Sequence, residues 1–271
     1  MTTLNKPNLG TPKDKGWPFY SLHLATSYLI REYFLVSNYR SSIKLAVKHG
    51  EKMEKFLKNF KNTNNKNSLH FDIALSSAKE LSSWAVNMQE ENYHELYVHS
   101  FIGMWSSFES GIENILADFI YNDLAVAKKA ISFFRPDRFN IKEWPWDKSL
   151  CLEIAQKLEP KAKNSIENGG INYFERIKIL FSWFEIDIDI EEEYQNILSE
   201  ANRMRNIILH RYGEISDKDA MDFPSLSPWI GRVKPLEKEI FNSYYKAMSR
   251  TFIALLNGIQ IKVKNNTEIN L

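Results

Sequence analysis

Cysteine is almost absent: one residue, Cys151, in a chain of 271. That excludes an intramolecular disulfide framework and any zinc site built on cysteine pairs. A lone thiol suits a reducing compartment, so the expected location is cytoplasmic, and Cys151 reads as a small core residue. Glycine and proline are also scarce, at 10 and 9 residues, and most fall at segment edges, which argues for long helices. The formal net charge is only +1. No global field therefore draws the chain onto nucleic acid, and any such contact must rest on a local patch. No stretch approaches the roughly 20 apolar residues of a membrane span, so no membrane partner is expected. Met1 to Lys13 carries no apolar run of a secretory leader. There is no glycine-rich phosphate loop and no Gly-x-Ser-x-Gly turn. His94 and His99 stand five apart, where two histidines sharing a metal on one helix need a spacing of four. Neither a metal nor a cofactor is expected.

What is present is helical periodicity in a composition that is 44% hydrophobic and 25% charged, enough for one large domain or two small ones. The spacing predicts helices over about 21–60 (with a break near His49-Gly50), 69–89, 92–121, 123–134, 148–158, 171–184 and 236–263. Ile186 to Ile190 alternates like a strand but is short and has no partner strand, so it reads as an extended linker. Residues 135–146 and 221–235 read as loops. Trp144-Pro145-Trp146 has two readings, stacking on a base or covering a core edge, and the second is preferred. The fold class is all-α.

The stretch that carries chemistry is Ser199 to Gly213. It is expected to be the end of a helix starting near Asp189, with Asp189 as N-cap and Glu191, Glu192 and Glu193 in the first turn. Ile190, Tyr194, Ile197, Leu198, Ala201, Met204 and Ile208 mark its apolar face, and Gly213 its stop. Arg203, Arg205, Asn206, His210, Arg211 and Tyr212 crowd the last turns. Asn206 and His210 share a face at four-residue spacing, and Arg205 and Tyr212 share another at seven. Cations at a helix C-terminus also have a purely structural use, since they complement the dipole.

Arg205-Asn206-Ile207-Ile208-Leu209-His210 resembles the arginine, four residues, histidine signature of the HEPN superfamily, in which an asparagine commonly follows the arginine. Arg203 stands seven before His210 and is the alternative arginine; Asn206 favours Arg205. Tyr212 extends the match to the form found in HEPN toxins paired with a nucleotidyltransferase antitoxin. The helix around Trp105, Phe108, Glu109, Ile112, Glu113 and Leu116 is similar to the family's first core helix, whose acidic residue pairs with the arginine. Glu109 flanks the apolar stripe and could take that role, Glu113 has an equal claim to it, and a solvated face charge is the structural alternative. The resemblance implies a HEPN-like up-and-down helical bundle over 92–263. It leaves a flexible arm at 1–18, a helical extension at 19–91 and a tail at 264–271.

The same resemblance implies a metal-independent endoribonuclease acting as a homodimer, a toxin or anti-phage effector. Arg205, His210 and Asn206 would be catalytic, with Arg203, Arg211, Tyr212 and Glu109 binding RNA or supporting the site. Tyr212 would be the modification point for an antitoxin, or would lay its ring over the cleft. The other readings are a non-catalytic HEPN-like dimer that binds RNA or protein, and an unrelated helical scaffold.

Overall fold

The computed structural model describes residues 19–64, 69–135, 138–166 and 171–268. The expected arm at 1–18 and the last residues of the expected tail, 269–271, lie outside them. The fold is all-α. Its helices are α1 (Phe19–Asn64), α2 (Leu69–Glu90), α3 (His94–Asn122), α4 (Leu124–Ile131), α5 (Lys148–Asn164), α6 (Tyr173–Ser182), α7 (Glu192–Arg211), α8 (Asp217–Asp222) and α9 (Lys238–Glu268). Among the described residues there is no strand, only two isolated bridges, Glu214 to Val233 and Ile215 to Ile230.

Local chemistry sets the helix starts. Asp123 accepts from the Ala125 and Val126 amides before α4, Asp147 from Leu150 before α5, and Asn172 from Glu175 before α6. Each satisfies amides that the first turn leaves without a carbonyl. The break expected at His49-Gly50 is not there: α1 is continuous. Gly50 instead serves a close approach, since a Cβ on it would stand 2.9 Å from Cβ of Ser82 on α2. α5 also runs past the expected Leu158 and through Pro160, with Ala162 buried in its last turn. The linker at 186–190 is extended. Ile186, Ile188 and Ile190 are buried and the aspartates between them exposed, so its alternation reflects one buried side without sheet pairing.

The chain divides into two compact units. Of the described residues, the first takes 19–27, Ser107–Ser199 and 248–268; the second takes Tyr28–Ser106 and Glu200–Ala247. The division does not follow the expected limits at 91 and 263: α1 and α2 contribute to the same unit as the end of α7. In the first unit the core centres on Phe108, which meets Tyr173 and Phe252 at 6.5 and 5.1 Å between ring centroids. Trp144 and Trp146 are tied into this unit. Their indole N–H groups donate to the carbonyls of Ile120 and Asn140, each at 3.0 Å, so the loop covers a core edge. Cys151 is fully buried, and burial, with Asp147 and Asp118 nearby, pushes its thiol up to about 11. It is a core residue.

In the second unit Tyr244 of α9 joins three helices. Its ring lies 5.1 Å from that of Phe101 on α3, and its hydroxyl donates to Glu200 of α7 at 2.6 Å. α3 and the motif helix thus meet through Tyr244. His94 also has a structural role. Its Nδ1 accepts from the Leu236 amide at 2.9 Å, just before α9, which requires that nitrogen to be unprotonated.

Candidate functional site

The motif lies on the last three turns of α7, within the second unit. The helix begins at Glu192, later than expected. Asp189 is not its cap: the first helical amides donate to the Glu191 carbonyl, and the Asp189 carboxylate faces Lys178 at 3.7 Å. The buried run Ile186, Ile188, Ile190 holds the chain extended through Asp189, so the helix cannot start there. Its buried side carries Leu198, Ala201, Met204 and Ile207; the expected Ile208 is only half-buried.

The helix stops at Arg211. Tyr212 and Gly213 both take positive φ, +53° and +92°, and the Gly213 amide donates back to Ile207 O at 3.2 Å. Gly213 is the expected stop, but Tyr212 enters the left-handed region first, at a cost of about 1–2 kcal/mol for a residue with a Cβ. Tyr212 therefore leaves the helical register, and the face it was expected to share with Arg205 does not exist. Its side chain is 94% exposed, so within this chain the ring covers no cleft.

The segment after the stop folds back along α7 and is fastened at two acids. Asp219 is fully buried. Its Oδ1 accepts from Arg203 at 2.5 Å, and its Oδ2 from Arg211 at 2.7 Å and from the Ser216 amide and hydroxyl at 2.8 and 2.6 Å. Ser216 and Asp219 close a capping box on α8. Burial alone would raise the Asp219 pKa; the Ser216 bonds and the two guanidinium groups outweigh it and hold the carboxyl below its usual range. Glu200 is the second acid. It accepts from Lys234 at 2.7 Å, Ser225 at 2.5 Å and Tyr244 at 2.6 Å. Here too burial opposes ionisation, and Lys234 with the hydroxyl donors prevails, so its pKa is lowered.

Viewed down α7 at about 100° per residue, Glu200, Arg203, Ile207 and Arg211 occupy one sector of about 80°. That sector is covered by the returning segment. Arg205, Leu209, Asn206 and His210 occupy another sector of about 140°, and it is the open one. His210 is exposed and Leu209 is 49% exposed. Within it Nη1 of Arg205 donates to Oδ1 of Asn206 at 2.9 Å, which orients the guanidinium and the amide together.

The structure thus places half-buried Arg205 and Asn206 and exposed His210 in one sector of about 140°, with Tyr212 beside them on the left-handed turn. It places Arg203 and Arg211 on the covered side with their charge met by Asp219. Glu109 belongs to the first unit, half-buried, where it acts on the buried Tyr173 phenol; Glu113 accepts from Gln156 at 2.9 Å. Asp219 and Glu200 were not singled out by sequence. The available signal was Ser216 followed three residues later by Asp219, a capping-box spacing, in a stretch to which no element was assigned. Among the described residues no group of three or more His, Cys, Asp or Glu side chains is arranged to hold a metal ion. Among the described residues no helix is long and apolar enough to cross a membrane. No protein-family model matches the chain, and comparison with curated proteins and with solved structures gives no match either.

Proposed function

We propose that the chain is a metal-independent endoribonuclease that works as a homodimer. The observation that carries the reading is the open sector of α7, where half-buried Arg205 and Asn206, joined by a hydrogen bond, flank the half-exposed Leu209 and the exposed His210. The resemblance of Arg205 to His210 to the HEPN signature supports the reaction class. One protomer supplies one imidazole on this face, whereas the reaction needs two proton transfers. Two copies meeting about a twofold axis supply both, and an isologous contact brings the same face together twice. Leu209 and Tyr212 give that contact its apolar surface.

In the reaction the substrate's 2′-oxygen attacks the adjacent phosphorus as one His210 takes its proton. The bond to the 5′-oxygen breaks as His210 of the partner subunit protonates that oxygen. A 2′,3′-cyclic phosphate and a 5′-hydroxyl result. Imidazole suits both roles near neutral pH. The Arg205 guanidinium holds the pentavalent phosphate through forked donors, and Asn206 fixes the fork. Asp219 holds Arg203 and Arg211 on the covered side of α7, so this role goes to Arg205.

The test is cleavage of total RNA by purified protein with and without EDTA. Activity should be unaffected by EDTA. His210→Ala should lower it by about 10²–10⁴-fold, the usual worth of general acid–base catalysis, with helix content unchanged because the side chain is exposed. Arg205→Lys should also be poor, since an ammonium cannot reproduce the fork. Wild-type rates in His210→Ala would end the reading.

A further inference from the structure

A second site lies in the same unit, away from the motif face. A cavity of about 350 Å³ opens between α1, α3 and the start of α9, lined by Arg40, Lys44 and Lys238 with Phe34, Tyr97 and Phe241 among others. No carboxylate lines it. Lys44 and Lys238 are exposed, and neither has an ion-pair partner among the described residues. Arg40 is held in place: its guanidinium lies 4.6 Å from the Tyr93 ring centroid, and Nη1 donates to the Tyr97 hydroxyl at 2.8 Å. That leaves the other guanidinium donors for a ligand. The Ser37 and Ser41 hydroxyls lie one turn apart on the α1 wall. The aromatic side is built in layers, with Tyr33 stacked on Tyr245 at 4.1 Å and on Phe241 at 5.8 Å. Phe34 at the rim is 58% exposed. Glu239 acts on the Tyr97 phenol but does not line the cavity.

A fixed guanidinium, two ammonium groups and the Ser37 hydroxyl fit a phosphate, the Ser41 hydroxyl being donated to the Ser37 carbonyl at 3.1 Å. The half-exposed Phe34 ring, edge-on to Tyr33 at 5.6 Å between centroids, suits a planar base, and the volume is that of a small-ligand pocket, about 300–1,000 Å³. We propose that this cavity binds a free nucleoside phosphate, with Arg40, Lys44 and Lys238 on the phosphate and Phe34 against the base. The site is distinct from the Arg205–His210 face, and its occupancy does not depend on RNA cleavage.

Isothermal titration of the full chain with AMP, ADP, inorganic phosphate and a single-stranded hexaribonucleotide tests it. AMP and ADP should bind saturably, ADP more tightly, and both more weakly as salt rises. The double variant Lys44→Gln/Lys238→Gln removes two exposed charges and should weaken ADP by about tenfold or more. Phe34→Ala should weaken AMP by about fivefold or more while leaving inorganic phosphate unchanged. His210→Ala should bind as wild type does. The proposal is overturned by any of four results on protein whose circular dichroism is intact. These are no saturable AMP or ADP binding, ADP binding unchanged in the double variant, inorganic phosphate binding as tightly as AMP, or the hexanucleotide outcompeting AMP for the site.

Discussion

Replacing Asp219 by Asn tests how the motif helix is fixed. The carboxylate is fully buried and receives two arginines, an amide and a hydroxyl. Asn keeps the size and one acceptor but puts an amide N–H₂ among groups that only donate. Breaking a buried pair by removing one charge typically costs about 3–5 kcal/mol. The arginine side chains are 29% and 37% exposed, so water recovers part of their loss, and the lower end, about 3 kcal/mol, is expected. For a chain of this size that lowers Tm by roughly 6–12 °C. Urea and thermal unfolding followed by circular dichroism measure it, and Arg203→Met alone and combined with Asp219→Asn measures the coupling. Because the folded pKa of Asp219 lies below its ordinary value, the folded state binds fewer protons. This stability is therefore complete above about pH 4 and is lost as pH falls through the folded pKa. A loss under about 1 kcal/mol with no coupling to Arg203 would show that Asp219 does not fasten the returning segment.

Leu209→Glu, in the middle of the open face, should convert the proposed dimer to a monomer by light scattering at micromolar concentration and abolish the proposed cleavage; an active monomer would refute the shared site. His94→Asn should keep the bond from the Leu236 amide while removing a titrating group. Burial lowers the His94 pKa despite Glu91 and Glu95, so wild type should lose stability as pH falls below about 6.5. His94→Asn should lack that portion of the pH dependence, and identical Tm–pH curves would refute it. Cys151 should resist iodoacetamide at pH 8 in the native protein and react fully in denaturant, because burial keeps its thiol protonated; native labelling at an ordinary rate would contradict the buried placement.

Helix identity was legible because amphipathic periodicity is local: Phe101, Trp105, Phe108, Ile112 and Phe119 recur on one face of α3, and all five are buried. Where reading failed, a contact distant in sequence decided. Gly50 looked like a break until Ser82 came close to it. Asp189 looked like a cap, but burial of Ile186, Ile188 and Ile190 kept that stretch extended. Helical arithmetic alone puts Asn206 and His210 on one face and sets Arg205 about 100° from one and 140° from the other, so that pairing was readable, whereas the hydrogen bond that joins Arg205 to Asn206 was not. The roles of Arg203 and Arg211 were not, because they depend on where a separate segment places Asp219. Tyr212 followed the helix on paper and leaves it in the structure, since the left-handed turn begins one residue before Gly213.

The capture of two arginines by one buried aspartate also sets how the proposed site should answer to ionic strength. Each phosphate that a protein neutralises on a single strand steepens the salt dependence of log K by about 0.7. Three available arginines on each of two protomers would give a slope of about −4; Arg205 alone on each gives about −1.4. Asp219 holds Arg203 and Arg211 on the covered side of α7, so the proposed RNA site should show the shallower slope. A slope near −1.4 would mean that substrate is gripped weakly in the ground state, and that most of the site's electrostatic work falls on the charge that develops as the 2′-oxygen attacks.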